Sequence, residues 1–277
     1  MPEGDTIHRA ATRLRTVLEG RELARLELRR GRHDGHLPAA GTRIDGVESR
    51  GKHLLVHFAD GSTLHTHLGM HGSWHVHAPG ARWRKPAHAA HAVLALADGT
   101  TAVCFSAPTV ELRRGGRARA VPASRAARQL ATLGPDLCDA NADLDEVLRR
   151  LATLAPDTEL GVALLDQRMA AGVGNVFKSE VCWACRIDPF TPLDALDLDT
   201  RRVLIATAHQ QLRANLGSGP RTTYRGALAV YGKTNRACPR CGGRIRSRRQ
   251  GEQARTTYWC ARCQIAPPTA AASSPDG

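Results

Sequence analysis

The chain has 277 residues, enough for two or three modest domains with separate cores, and its formal charge of +13 points to a polyanionic partner, nucleic acid first. No stretch approaches the roughly 18 to 20 apolar residues of a membrane span, and Glu3 and Asp5 stand where a secretory signal would be basic and then apolar. A cytoplasmic protein is expected.

Ile7, Ala10, Ala11, Leu14, Val17 and Leu18 recur at helical spacing behind Asp5, a good N-cap residue, and Gly20 ends the pattern. From about Arg21 to Phe105 the period becomes two. Leu54, Val56 and Phe58 alternate with His53, Leu55 and His57, and Asp60-Gly61 turns the chain into Thr63 to Leu68. A second hairpin reads Val93 to Ala97, Asp98-Gly99, then Thr101 to Phe105. These elements predict a β-sandwich with one leading helix.

Between Arg113 and Pro135 the glycines, arginines and prolines show no strong period, which suggests a boundary. Helical patterns follow at Leu144 to Leu151, Leu160 to Ala170, Val176 to Cys185 and Leu196 to Leu216, predicting a helical second domain. From Arg221 to Cys263 eleven lysines and arginines face Glu252 alone, so most of the excess charge sits there. The tail APPTAAASSPDG has nothing to bury and is expected to be disordered.

Eight cysteines in a cytosolic chain read as metal ligands or buried thiols rather than disulfides. Cys238-Pro-Arg-Cys241 and Cys260-Ala-Arg-Cys263 have the spacing of a structural zinc ribbon, each pair forming a knuckle that aims two thiolates at one Zn2+ ion. Cys182 and Cys185 form a third such spacing on a helix, without a second pair, and read as packed core thiols. Cys104 and Cys138 carry no signal. His65, His67, His71, His75 and His77 alternate along strands, but no carboxylate accompanies them at useful spacing, so exposed or half-buried strand histidines are expected rather than a metal cluster.

The opening Met-Pro-Glu raises a chemical possibility. Proline after Met1 favours removal of that methionine, leaving a free secondary amine beside the Glu3 carboxylate. An α-amino group titrates near 7.7 to 8 against about 10.4 for lysine, so its neutral fraction at pH 7 is larger by roughly two orders of magnitude; proline's greater basicity erodes part of that. Addition of a secondary amine to an aldehyde-like carbon gives a cationic iminium, an electron sink that favours elimination from the next carbon, and a neighbouring carboxylate can carry the protons. The plainer reading is that Glu3 favours a helix N-terminus. Only four of the 39 basic residues are lysines, namely Lys52, Lys85, Lys178 and Lys233, so rival amines are few.

PEGDTIHRA at the start, GKHLL at 51 to 55, LDQRMAAGVGNVFKSEV at 165 to 181, AVYGK at 229 to 233 and the ribbon ending ARTTYWCARCQ resemble, in that order, the formamidopyrimidine-DNA glycosylase and endonuclease VIII family. Pro-Glu-Gly is closer to the endonuclease VIII branch than to the Pro-Glu-Leu of the formamidopyrimidine branch. The resemblance implies an α+β multidomain fold: a catalytic β-sandwich with a leading helix over 1–120, a helix-two-turn-helix domain over 121–225 and a zinc-ribbon β-hairpin over 226–265, with residues 266–277 as the tail. Damaged double-stranded DNA would lie in the cleft, bound by a monomer.

The resemblance also implies roles. Pro2 would be the Schiff-base nucleophile at the deoxyribose C1′, Glu3 the proton carrier, Lys52 a phosphate-contacting residue required for glycosylase action, and Arg255 a fork of donors at the hairpin tip that clamps a phosphate. Asn175, in the GVGN turn before a helix, would present donors to another phosphate. Met70 matches the position that enters the duplex when the damaged nucleotide is flipped out, with a core methionine as the alternative. Thr6 stands where many members carry a second glutamate, and SAPTVELRR at 106 to 114 lacks the arginine-phenylalanine pair that contacts the orphan base. The expected activity is that of a bifunctional glycosylase and abasic-site lyase acting on oxidised pyrimidines by β,δ-elimination. An abasic-site-specific lyase and a non-catalytic zinc-ribbon DNA-binding protein are the alternatives.

Overall fold

The computed structural model describes residues 2–33, 35–114 and 125–265. The leading methionine and the tail expected to be disordered lie outside the described residues. The chain divides into two compact units, Met1–Thr132 and Leu133–Gly277.

The first unit opens with helix α1 (Gly4–Leu18), whose Ile7, Ala11, Leu14 and Leu18 are buried. Its N-cap is Glu3 rather than the Asp5 expected: the Glu3 carbonyl accepts from the backbone N–H groups of Thr6 and Ile7 at 2.9 and 3.1 Å. Asp5 lies two residues further in, within the first turn, buried, where it pairs with Arg9 at 3.3 Å. An acidic residue in the first turn is favoured by the helix dipole as well as by a cap, so sequence alone does not separate the two positions.

Two four-stranded antiparallel sheets form the sandwich. One has the order β1 (Leu23–Leu28), β6 (Ala90–Leu96), β7 (Thr101–Phe105), β5 (Ser73–His77); the other runs β2 (Ile44–Arg50), β3 (His53–Phe58), β4 (Ser62–His67), β8 (Thr109–Arg114). Both predicted hairpins are present, as β3–β4 and β6–β7. Leu54, Val56 and Phe58 from β3, Leu64 from β4, and Leu94, Ala102 and Cys104 from the facing sheet fill one core with the apolar side of α1. Alternation assigns His53, His65, His67 and Glu111 to the opposite face of β3, β4 and β8, the face usually left to solvent. The segment after Arg113 contains a further helix, α2 (Arg125–Ala131), which its weak periodicity did not announce.

The second unit contains α3 (Leu144–Leu151), α4 (Leu160–Ala163), α5 (Asn175–Ala184) and α6 (Leu198–Ala214), with hairpin β9 (Ile245–Gln250) and β10 (Arg255–Cys260). Asp143 and Asp197 cap α3 and α6, accepting from Glu146 N–H at 2.8 Å and Thr200 N–H at 2.7 Å. The helix expected over 160 to 170 stops after one turn. Gln167 spans the loop instead, its amide donating to the carbonyls of Leu165 and Val173 at 2.8 and 2.9 Å and accepting from Gly172 N–H, so one side chain supplies the bonds that a longer helix would have made. Leu148, Phe177, Val181, Cys182, Leu204 and Leu212 lie in its core. Cys182 is fully buried with its thiol pushed up by desolvation, which agrees with a packed core thiol. Among the described residues no helix is long and apolar enough to cross a membrane.

Candidate active site and metal centre

In the first unit Pro2 is half-buried immediately before α1, and Glu3 is completely buried at the cap. Helix α1 packs against β2, β3 and β5. Lys52, half-buried, lies in the two-residue turn joining β2 to β3; Gly51 enters that turn at φ +56°, a conformation that favours glycine. The nucleophile and proton-carrier candidates therefore head the helix that covers the hairpin bearing Lys52.

Met70 is 58 % exposed, which removes the core-methionine alternative. Its turn closes through a 2.8 Å bond from Gly72 N–H to the Leu68 carbonyl. A Cβ at Gly72 would lie 2.3 Å from that same oxygen, and Gly69 adopts φ +57° against Pro108. Two glycines thus let the turn fold tightly enough to carry an apolar side chain outward.

His67, His71 and His75 are half-buried or exposed as expected, whereas His65 and His77 are buried, as is His53. A carboxylate does accompany the cluster: Glu111 on β8 lies directly opposite His65 on β4. The signal was invisible because 46 residues separate the two in the chain. His53 Nδ1 and His65 Nε2 are 2.8 Å apart, and the His53 ring lies 5.0 Å from those of both His65 and His67. Burial, then the charges of His65, His67, Lys52 and Arg50, holds His53 down at about 3. Burial outweighs the opposing Glu111 charge to bring His65 to about 4, and burial with Lys52 lowers His67.

In the second unit the sulfur atoms of Cys238, Cys241, Cys260 and Cys263 all lie within 4.8 Å of one another, and among the described residues this is the group of three or more such side chains able to hold a metal ion. The two knuckles bring the ribbon together as the spacing predicts. Burial raises the Cys238 thiol, but the Trp183 indole N–H, 3.3 Å from its sulfur, and the backbone N–H groups of Arg240 and Cys241 outweigh it and bring the group to about 6. Thiolate is the form a metal requires.

Helix α5 carries the hairpin at both ends. At its C-terminus Arg240, from the first knuckle, stacks 3.9 Å over the Trp183 ring and donates to the carbonyls of Trp183 and Ala184 at 2.8 and 3.3 Å. A guanidinium there satisfies helix-end carbonyls and complements the dipole. At the N-terminus Asn175 Nδ2 donates to the Thr256 carbonyl at 2.7 Å, and the fully buried Lys178 donates to Thr257 Oγ1 at 2.6 Å. Thr257 passes a bond to Gln250 Oε1 at 2.7 Å, and Gln250 Nε2 reaches Glu159 and the Pro189 carbonyl at 2.8 Å each. Arg255, adjacent to Thr256, starts β10 opposite Gln250, with Gly251 to Ala254 forming the tip. Asn175 and Arg255 are therefore brought together by one backbone neighbour. The Asn175 side-chain donor is engaged by the hairpin, and its Oδ1 is buried without a partner.

Glu180, fully buried in α5, was missed by sequence reasoning. Its carboxylate accepts from the backbone N–H groups of Ala229, Val230 and Tyr231 at 2.7, 2.9 and 2.8 Å and from the Thr223 hydroxyl. An acidic residue between Phe177 and Val181 in a helix with apolar neighbours on both sides was its only signal. Asn215 clamps the same segment through bonds to and from the backbone of Thr222 at 2.8 Å each.

Two family models match this chain: the formamidopyrimidine-DNA glycosylase N-terminal domain over residues 1–117 and the formamidopyrimidine-DNA glycosylase H2TH domain over residues 133–225. The chain belongs to the formamidopyrimidine-DNA glycosylase and endonuclease VIII family. It is 41 % identical over 273 residues to the probable endonuclease 8 2 of Streptomyces coelicolor, covering 96 % of this chain and 95 % of that one. It is 38 % identical over 272 residues to the DNA-(apurinic or apyrimidinic site) lyase Nei2 of Mycolicibacterium smegmatis, covering 96 % and 100 %. Among solved structures, the MutM (Fpg) protein of Thermus thermophilus matches with a TM-score of 0.75 at 29 % identity over 95 % of this chain and 98 % of that one. Lactococcus lactis Fpg, solved with N7-benzyl-Fapy-dG-containing DNA, shares the fold with a TM-score of 0.74 at 23 % identity over 95 % and 99 %.

Proposed function

We propose that this protein is a bifunctional DNA glycosylase and abasic-site lyase of base-excision repair, acting in the cytoplasm as a monomer on oxidised bases, pyrimidines in particular. The observation that carries the reading is the buried Glu3 carboxylate beside Pro2 at the head of α1, in a chain that matches named glycosylases and lyases along nearly its whole length. Burying a carboxylate costs free energy, so a fully buried one behind the second residue calls for a task.

With Met1 removed, the Pro2 nitrogen lone pair attacks C1′ of the damaged nucleotide as the bond to the base breaks. The base leaves with the bonding pair and takes a proton. Ring opening gives the iminium, and Glu3 accepts and returns protons around it. The C2′ proton is then lost and the C3′–oxygen bond breaks, with elimination at the 5′ side following. Lys52 and Arg255 each hold a phosphate, Asn175 a third through its backbone N–H at the start of α5, and Met70 occupies the gap that the flipped nucleotide leaves. Selection of pyrimidines rests on the endonuclease VIII-like opening Pro-Glu-Gly.

The four cysteines fit one structural Zn2+ ion. Four thiolates would complete the ion's set of protein ligands, so it would supply folding energy to the finger over 226–265 and take no part in bond breaking.

Borohydride trapping on a duplex with an abasic site tests the assignment. A covalent adduct is expected, and it should disappear in Pro2→Gly and in protein that retains Met1. An undiminished adduct in both would move the chemistry to a lysine. A second reading is favoured by one relative, which is named as a DNA-(apurinic or apyrimidinic site) lyase. Strand cleavage at preformed abasic sites without release of any oxidised base would establish that narrower activity.

A further inference from the structure

Three titratable side chains on the outward face of the β2–β3–β4–β8 sheet have no part in the chemistry above: His53, His65 and Glu111, exposed by 5 %, 4 % and 8 %. Placing imidazoles and a carboxylate together under cover is costly unless they satisfy one another. The strand register lines them up: Glu111 faces His65 across β8 and β4, and His53 faces His67 across β3 and β4. The four cysteines apart, no group of three or more close potential metal ligands is found among the described residues.

Two ring nitrogens 2.8 Å apart must take opposite roles, one donating and one accepting. His53 and His65 therefore cannot both be protonated at that contact. One end of the row carries the Glu111 charge; at the other, His53 directly follows Lys52, whose charge reaches both His53 and His67. A shared hydrogen bond, two ring contacts at 5.0 Å and burial fix the His53 ring against His65 and His67 on β4, and Lys52 is the residue immediately before it in the chain.

We propose that His53, held by His65, is a positioning residue for Lys52, setting the turn so that its ammonium meets a DNA phosphate. This rests on Lys52 being a phosphate contact in base excision. A neutral ring beside Lys52 orients it without repelling it, whereas an imidazolium there would compete for the same phosphate. The groups facing His53 are Arg50 and Lys52 from the β2 side, His65 and His67 on β4, and Glu111 and Arg113 beyond them on β8.

A double-mutant cycle in the full-length protein tests the coupling. His53→Phe should weaken binding to a duplex with an abasic-site analogue about tenfold in the parent background and change it less than twofold in Lys52→Ala. Equal losses in both backgrounds would overturn the proposal. Nitrogen-15 NMR of the wild-type imidazoles gives a second reading that needs no variant of His53 to fold. The His53 and His65 rings should share one tautomer, both Nδ1–H or both Nε2–H, and stay neutral from pH 7 to 5, and Lys52→Ala should raise the titration midpoint of His67. Titration of His53 near 6.5, or a His67 midpoint indifferent to Lys52, would refute it. If the parent does not bind that duplex, the functional reading fails, and the NMR result alone decides the link between His53 and Lys52.

Discussion

The side-chain amide of Asn175 donates to the backbone carbonyl of Thr256 at 2.7 Å, tying the first residue of α5 to the strand that begins at Arg255. Lys178 repeats the tie one turn later through Thr257, so the helix start and the hairpin tip are stitched at neighbouring residues. Two proposed phosphate contacts thereby share one rigid support. Such an arrangement reduces the ordering cost of gripping a DNA backbone at two points.

Arg255→Ala should leave the hairpin intact, because among the described residues its side chain makes a single exposed 3.4 Å bond, to Gln253 within the tip. Binding to a duplex with an abasic-site analogue should weaken by about 1.5–3 kcal/mol, the range for a charge-assisted bond. Fluorescence anisotropy with a parallel zinc assay measures both. Unchanged affinity would argue against the phosphate clamp.

Cys260→Ser, or removal of metal by a strong chelator, should unfold the hairpin while the β-sandwich remains folded. Structural zinc contributes on the order of 10–16 kcal/mol in finger peptides, more than any single contact of the hairpin can replace. Metal content, tryptophan fluorescence from Trp259 and Trp183, and DNA affinity should fall together. Retention of tight DNA binding by metal-free protein would contradict the assignment.

Glu180→Ala removes one carboxylate that accepts four hydrogen bonds, leaving buried donors behind. A loss of about 2–4 kcal/mol of local stability is expected. Hydrogen exchange reads it directly: the amides of Ala229, Val230 and Tyr231 should lose protection while those of β3 and β4 keep theirs. Glu180→Gln should recover only part, since its NH2 would meet donors.

The buried imidazoles predict an acid-sensitive fold. In the unfolded chain His53 and His65 bind protons near pH 6.5, whereas the folded protein refuses them until about 3 and about 4. Between those values the unfolded state holds more protons, so stability falls as pH drops from about 6.5 towards 4 and recovers as pH rises. Each imidazole contributes a slope of up to about 1.4 kcal/mol per pH unit. Urea midpoints at pH 7.5 and 5.0 should show it, and His53→Phe should flatten the dependence; an unaltered slope in that variant would exclude the mechanism.

Much of this molecule was legible in one dimension. The period-two strands with Asp-Gly turns, the helical spacing of α1, α3 and α6, and the paired knuckles of Cys238, Cys241, Cys260 and Cys263 all follow from residues close in the chain, where local geometry dictates which side chains share a face. The truncated helix at Leu160–Ala163 was not legible, because Gln167 ends it through bonds to a loop as far on as Val173.

Charge, strand and helix rhythm, and the order of the motifs were determined by the sequence itself, since each depends on neighbours along the chain. Tertiary structure alone decided that Glu111 faces His65, that Glu180 holds the loop at Ala229 to Tyr231, and that Asn175 spends its donor on Thr256. These pairs lie 46 to 81 residues apart, and nothing local selects them. A buried polar group must find its partner wherever packing brings one, and that choice belongs to the whole fold.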